Sequence, residues 1–212
     1  MSFASRPTFA FRNMRSSTRT FLAIEIPDGM GHELARLRES LAADVPGCRW
    51  TNSPPFHMTL AFVGDVPDDD LSRVHDVVTE SVRDLEPLEL SLEGLGAFPS
   101  PRRPRVLWAG VSTQNPLLLN KLRQSVIAAL SEIGFPCDEE RFHPHVTLGR
   151  FKPSRHGPCD VTAIVERYRF WSLGGFVADE VVGFASRQSA GGPVYDPLSR
   201  ARLLGGKANS QP

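Results

Sequence analysis

The run TFLAIEIP (20–27) alternates apolar and polar positions and carries β-branched residues, which predicts a strand closed by Pro27. Helical spacing takes over in MGHELARLRESLAAD (30–44), where Leu34, Leu37 and Leu41 share one face. VPGCRWTNSPPF (45–56) is broken by Pro and Gly, a predicted loop leading to a strand over 57–63. Over 67–87 an acidic start and the stripe Leu71, Val74, Val78, Val82 and Leu85 predict an amphipathic helix. LELSLEGLGAF (88–98) reads as a strand, PSPRRPR (99–105) as a turn and RVLWAGVS (105–112) as the strand after it. NPLLLNKLRQSVIAALSEIG (115–134) predicts another long helix, with Pro116 in its first turn and Gly134 as its C-terminal stop. A strand over 142–151 follows, and 168–173, 176–187 and 193–203 predict a β-rich end. The order is α+β and loosely two-fold in plan.

Two of the predicted strands share more than their period. FHMTLAF (56–62) and FHPHVTLGRF (142–151) both contain His-x-Thr-Leu, as His57 with Thr59 and His145 with Thr147. Side chains two apart on a strand face the same way, so each His shares a face with its Thr. Met58, Leu60, Val146 and Leu148 then point the other way, into a core. A single His-x-Thr is more often structural than functional. With six His in 212 residues, chance supplies roughly 0.03 copies of His-x-Thr-Leu per chain, so two copies demand a common purpose.

If the two strands lie together, two imidazoles and two hydroxyls converge on one cleft. Imidazole titrates near neutrality, so one His can accept a proton while the other donates one. Thr hydroxyls can hold the non-bridging oxygens of a phosphate. Such a set hydrolyses a phosphodiester without a covalent intermediate. No carboxylate sits in either motif to hold Mg²⁺, and no third His or Cys has the spacing for zinc, so no metal or other cofactor is expected.

Composition narrows the setting. The chain is 41% hydrophobic and 23% charged, ordinary for a soluble globular protein. Twenty-four basic residues balance 24 acidic ones, so no global field favours an anionic partner. No apolar run approaches the roughly 20 residues of a membrane span, and no membrane partner is expected. Cys48, Cys137 and Cys159 are three and widely spaced, which implies no disulfide framework and a reducing, cytoplasmic setting. Residues 1–18 hold several Arg and no acidic residue and are expected to be a disordered extension. Residues 19–204 form the expected domain, with two lobes, and 205–212 a disordered tail.

The two motifs, together with RTFLAIEIP, RVLWAGV, FHPHVTLGR and PVYDPLSRARL, resemble the 2H phosphoesterase superfamily, and within it the RNA 2′,3′-cyclic phosphodiesterases formerly called 2′–5′ RNA ligases. The resemblance covers roughly residues 19–204. It implies a bilobal α+β fold, two pseudo-symmetric lobes with antiparallel sheets around a central cleft. It implies metal-free hydrolysis of 2′,3′-cyclic phosphate RNA ends to 2′-phosphate; a monomer, and weak 2′–5′ ligation as a side activity, are expected alongside. His57 and His145 carry over as the catalytic pair, and Thr59, Thr147 and Arg150 as phosphate-holding groups. One assignment has His145 activate water and His57 protonate the departing 3′ oxygen, though pseudo-symmetry leaves the roles interchangeable. By strict alternation Arg150 lies opposite His145, and a bulge near Gly149 is needed to turn it round. The family's Pro-x-Asn-Leu-His lead-in is replaced here by SPPFH (53–57).

Further substrate contacts are open to Phe56, Phe151 and Trp50 as base stackers, to His143 as a rim or pKa-tuning group, and to Arg102 and Arg105 as a basic turn. For the aromatics core packing is the simpler account, and for the turn solvation. Arg155 and His156 are rim candidates. Rival functions are the same chemistry on a small cyclic nucleotide or ADP-ribose cyclic phosphate, and a non-catalytic module that grips RNA ends.

Overall fold

The computed structural model describes residues 16–51, 55–137, 142–152, 159–189 and 192–205. Most of the expected disordered extension (1–18) and tail (205–212) lies outside them, as do the rim candidates Arg155 and His156, but Ser17 and Thr18 of the extension belong to a strand. Strand β1 spans Ser17–Glu25, α1 Asp28–Leu41, β2 Cys48–Trp50 and β3 His57–Pro67. A 3₁₀ turn at Asp68–Asp70 precedes α2 (Leu71–Val82), β4 (Leu88–Phe98) and β5 (Val106–Ser112). Then come α3 (Pro116–Glu132), β6 (His145–Phe151), α4 (Thr162–Arg167), β7 (Ser172–Ala178), β8 (Glu180–Ser189) and β9 (Gly192–Arg202).

Among the described residues nine strands form one antiparallel sheet in the order β7-β4-β5-β6-β3-β1-β8-β9, with β2 added alongside β6. The two motif strands, β6 and β3, are its central pair. They are joined by one residue pair, Met58 opposite Val146. Each half of the sheet thus has four strands with a motif strand innermost, which is the two-fold plan read from the element order.

Local chemistry accounts for the long helices. In α3, Asn115 accepts a hydrogen bond from the Leu118 amide at 3.0 Å, and Pro116 occupies the first turn. Gly134 follows that helix with φ +90°, the left-handed conformation that glycine supplies at low cost. The apolar stripes Leu34–Leu37–Leu41, Val74–Val78–Val82 and Leu119–Leu122–Val126–Leu130 are buried on the sheet. Burial of each such side chain stabilises the fold by about 1.5–3 kcal/mol. Met58, Leu60, Val146 and Leu148 are buried in the same core, as alternation predicted. A second small cluster, Phe21, Ala23, Val182 and Phe184 with Tyr195 packed on it, lies apart from it. Among the described residues no helix is long and apolar enough to cross a membrane.

Several features differ from the sequence expectation, among them the strand expected over 176–187, which is divided between β7 and β8 at Asp179. β2 sits inside the predicted 45–56 loop, because its three residues pair with β6 from Cys48 opposite Phe151 to Trp50 opposite Gly149. α4 is too short to show a helical period. The expected 168–173 strand is displaced: the chain turns at 168–170, Phe170 is 89% exposed, and β7 begins at Ser172. Pairing of β7 with Leu88–Glu93 of β4 decides where it starts.

Candidate active site

The single bridge between the central strands sets the geometry of the site. With Met58 opposite Val146 in an antiparallel pair, the neighbouring rungs set His57 against Thr147 and Thr59 against His145. All four side chains then lie on the face opposite the buried Met58 and Val146. His57, Thr59, His145 and Thr147 line one cleft of about 700 Å³, within the ordinary range for a ligand site.

Each imidazole is held in the same way. His57 Nδ1 lies 3.1 Å from the carbonyl oxygen of Pro55, and His145 Nδ1 lies 2.7 Å from that of His143. A carbonyl only accepts, so both Nδ1 atoms carry the hydrogen and donate it two residues back. Nε2 is left as the proton-exchanging atom of each ring. His57 is enclosed by Phe21, Tyr195 and Phe184, with ring centroids at 4.8, 4.9 and 5.6 Å. His145 rests against Phe98 at 5.0 Å and Trp108 at 6.1 Å. Trp108 in turn fills the space over Gly96, where a Cβ would stand 2.1 Å from its ring.

Arg150 is turned toward the cleft by an irregularity in its strand. In the β5–β6 ladder Trp108 faces Thr147 and Leu107 faces Gly149, so Leu148 is an extra residue, a β-bulge. The bulge resets the alternation. Leu148 and Gly149 are both buried, and Arg150 emerges exposed among the lining residues of the cleft. Its positive charge is felt by His57, His145 and Tyr195.

The other sequence candidates land as follows. His143 is not a cleft residue: its ring packs 4.8 Å from Trp108, its carbonyl holds His145, and its charge pushes the His145 pKa down. Phe56 reaches the cleft wall but is 5% exposed and belongs to the core. Phe151 and Trp50 are half-buried against the core. The wall includes Val106 but neither Arg102 nor Arg105. Arg102 instead lies near Asp160, whose pKa it helps to lower, and the Arg105 backbone ties Phe98 to Phe151.

Sequence reasoning missed Arg19, Arg49, Phe62, Gln188 and Tyr195, all of which line the cleft. Arg49 is brought there by β2, which sets it directly opposite Arg150. Among the described residues the lining thus holds three guanidinium groups and no carboxylate, in a chain whose net charge is zero. A neutral protein has placed an anion-attracting field in one place.

Two His-x-Thr strands converging in this way are matched by a known family. The 2′-5′ RNA ligase superfamily matches residues 54–184, a span that contains both motifs. The chain belongs to that superfamily. As a 2H phosphoesterase it is 31% identical over 185 residues to an RNA 2′,3′-cyclic phosphodiesterase of Methanothermobacter thermautotrophicus, covering 87% of this chain and 98% of the relative. It is 34% identical over 183 residues to a protein of the same name from Archaeoglobus fulgidus, covering 85% and 97%. Its fold is like that of a protein of Thermus thermophilus, with a TM-score of 0.70 at 24% identity over 88% of this chain and 98% of that one. E. coli LigT complexed with 3′-AMP is similar at a TM-score of 0.68, with 24% identity over 88% and 98%.

Electrostatics distinguish the two histidines of this 2H phosphoesterase. Burial lowers the His57 pKa from 6.5 to about 4, against the pull of the Pro55 carbonyl and with help from Arg150 and His145. Burial also lowers that of His145, with the charges of His143 and Arg150 acting the same way. The His57 shift makes stability depend on pH. The unfolded chain titrates His57 near 6.5 and the folded chain near 4, so the unfolded state binds more protons between those values. The folded state is therefore penalised as pH falls through that window, by about 3 kcal/mol once below pH 4. Urea unfolding at pH 7, 5.5 and 4 is expected to show this loss, and His57→Gln to flatten it. An equal loss in the variant would assign it to other groups.

Proposed function

We propose that this protein hydrolyses the 2′,3′-cyclic phosphate at RNA ends to a 2′-phosphate, by two-histidine acid–base catalysis without a metal. The observation that carries this is the paired fixation of Nδ1, which leaves two Nε2 atoms on adjacent strands beside two Thr hydroxyls. The activity borne in the names of its relatives supports the same substrate.

Chemically, one imidazole removes a proton from water as the water oxygen bonds to phosphorus. The P–O3′ bond breaks, and the other imidazole gives its Nε2 proton to the leaving 3′ oxygen. Thr59, Thr147 and Arg150 hold the non-bridging oxygens as charge builds on them. The two rings exchange protonation states in one turnover and reset through solvent. With a 5′-hydroxyl in place of water, the same geometry forms a 2′–5′ bond, which supports weak ligation.

The pKa values bear on the direction. His57 is neutral at pH 7 and so is ready to accept a proton, whereas His145 is the less enclosed ring and the easier to protonate beside a bound phosphate. This supports His57 as base and His145 as acid, the reverse of the assignment in which His145 activates water.

The test is turnover of a 2′,3′-cyclic-phosphate oligonucleotide in excess EDTA, with product identified as 2′- or 3′-phosphate. Undiminished formation of 2′-phosphate is expected. Activity that EDTA abolishes and a divalent ion restores would overturn the metal-free mechanism. Binding without turnover would favour a grip-only module.

A further inference from the structure

The two motif strands carry the same bulge, and each bulge is anchored from the opposite half of the chain. In the β5–β6 ladder Leu148 has no rung between Thr147 and Gly149. In the β1–β3 ladder Ala23 faces Thr59 and Leu22 faces Ala61, so Leu60 has no rung either. A residue left out of its ladder keeps a carbonyl to satisfy, and both of these residues are buried. The Leu60 carbonyl accepts a hydrogen bond from Nε of Arg123 at 3.2 Å. The Leu148 carbonyl accepts from the Thr51 amide at 2.9 Å and from the Thr51 hydroxyl at 3.0 Å. Thr51 is held in turn, its own carbonyl accepting from Nη1 of Arg38.

Arg38 and Arg123 stand at matching places in two matching helices. Leu34, Leu37 and Leu41 of α1 are spaced as Leu119, Leu122 and Val126 of α3 are, and in each helix an Arg directly follows the second Leu. Helix α1 precedes β3 in the chain, yet its Arg serves β6; α3 precedes β6, yet its Arg serves β3. The central strands share a single rung. Beyond it β6 is continued by Thr51 and β2, and β3 by the Arg123 guanidinium. The anchor on β6 has a particular task. β2 is three residues long and sets Arg49 directly opposite Arg150. Like charges directly opposite each other in a ladder are destabilising, so that rung depends on what fixes the end of β2, and Thr51 is there.

We infer that Arg38 is a positioning residue for Arg150: by fixing Thr51 it clamps the Leu148 bulge, and the bulge keeps Arg150 turned into the cleft. This rests on the proposed cyclic-phosphate activity and deepens it, since it names what aims a phosphate-holding group of that site. Arg38 itself is not among the residues that line the cleft. Without the clamp, the buried Leu148 carbonyl regains a partner if the bulge closes. A one-residue slip sends every later side chain to the other face, which for Arg150 is the face away from His145. Guanidinium suits the task, because it stays charged at any working pH and presents several donors in a rigid fork.

The experiment is a double-mutant cycle read by kinetics and by NMR. On a 2′,3′-cyclic-phosphate oligonucleotide, kcat/KM is measured for Arg38→Met, Arg38→Lys and Thr51→Val, each alone and combined with Arg150→Ala. Arg36→Met, whose side chain is 76% exposed on the same helix, is the control and is expected to match the wild type. Arg38→Met is expected to lose about 10- to 100-fold alone. In the Arg150→Ala background, where the group it positions is gone, the further loss is expected to be less than about threefold. Arg38→Lys keeps a donor and is expected to recover most of the activity. The His145 pKa is held below its usual value by burial and, in part, by Arg150, so it is expected to rise in Arg38→Met. Equal losses in both backgrounds, or a His145 pKa that does not move, would leave Arg38 a structural residue only and overturn the inference. Should Arg38→Met not fold, Thr51→Val, which removes the hydroxyl and keeps the shape, is read in the same cycle. There an unchanged kcat/KM with an unchanged His145 pKa would refute the clamp. Were the wild type to turn over no substrate, the cyclic-phosphate reading itself would fail, and the His145 titration, which needs no substrate, would still decide the role of Arg38.

Discussion

Alanine at either His57 or His145 is expected to lower kcat for cyclic-phosphate hydrolysis by about 10²- to 10⁴-fold, the usual worth of a positioned general acid or base. Both rings are oriented through Nδ1, so each substitution deletes one proton-transfer atom. The double variant is expected to be little worse than the poorer single one, because acid and base act as a unit. A substrate with sulfur replacing the bridging 3′ oxygen separates the roles, since a thiolate leaves without protonation. His145→Ala is expected to recover on that substrate and His57→Ala to stay inactive. Recovery of His57→Ala instead would reverse the assignment of acid and base. Full activity of either variant on the natural linkage would remove that His from the mechanism. Circular dichroism and melting temperature guard against a folding artefact, because the His57 ring fills space among Phe21, Phe184 and Tyr195.

Arg150→Ala is expected to cost about 10²- to 10³-fold in kcat/KM, as the loss of one preorganised charged donor does elsewhere. Arg150→Lys is expected to recover only part of this, since an ammonium lacks the planar fork that grips two phosphate oxygens. A second readout separates electrostatic from steric loss. Arg150 lowers the pKa of both histidines, so its removal raises them, and NMR titration of His145 is expected to move up in Arg150→Ala but not in Arg150→Lys. No change in either pKa would place the guanidinium outside the reacting group.

Much of the fold was legible because period is a local property. The alternation in FHMTLAF and FHPHVTLGRF places Met58, Leu60, Val146 and Leu148 in the core, and they are there. The helical stripes of α1, α2 and α3 are likewise buried as spaced. Nearness along the chain was a poorer guide. Phe56, Phe151 and Trp50 flank the motifs in sequence, yet their rings pack chiefly on the core. PSPRRPR is the most basic local run, yet neither Arg102 nor Arg105 is on the cleft wall. Among the described residues the guanidiniums that do line it come from β1, β2 and β6, separated by tens of residues.

The one-residue bulges explain why Arg150 was ambiguous and Phe62 was missed. Strict alternation assigns both to the core side, and a bulge is visible only from the partner strand's count. Two His-x-Thr pairs, their shared strand faces and the chemistry open to them were therefore written in the order of residues. Which other groups join them was set by ladder pairing: β2 brings Arg49 beside Arg150, and β1 brings Arg19 along the line of Phe62. Side-chain direction follows a period of two along one strand, whereas convergence depends on register between strands distant in the chain, and that exists only once the sheet has formed.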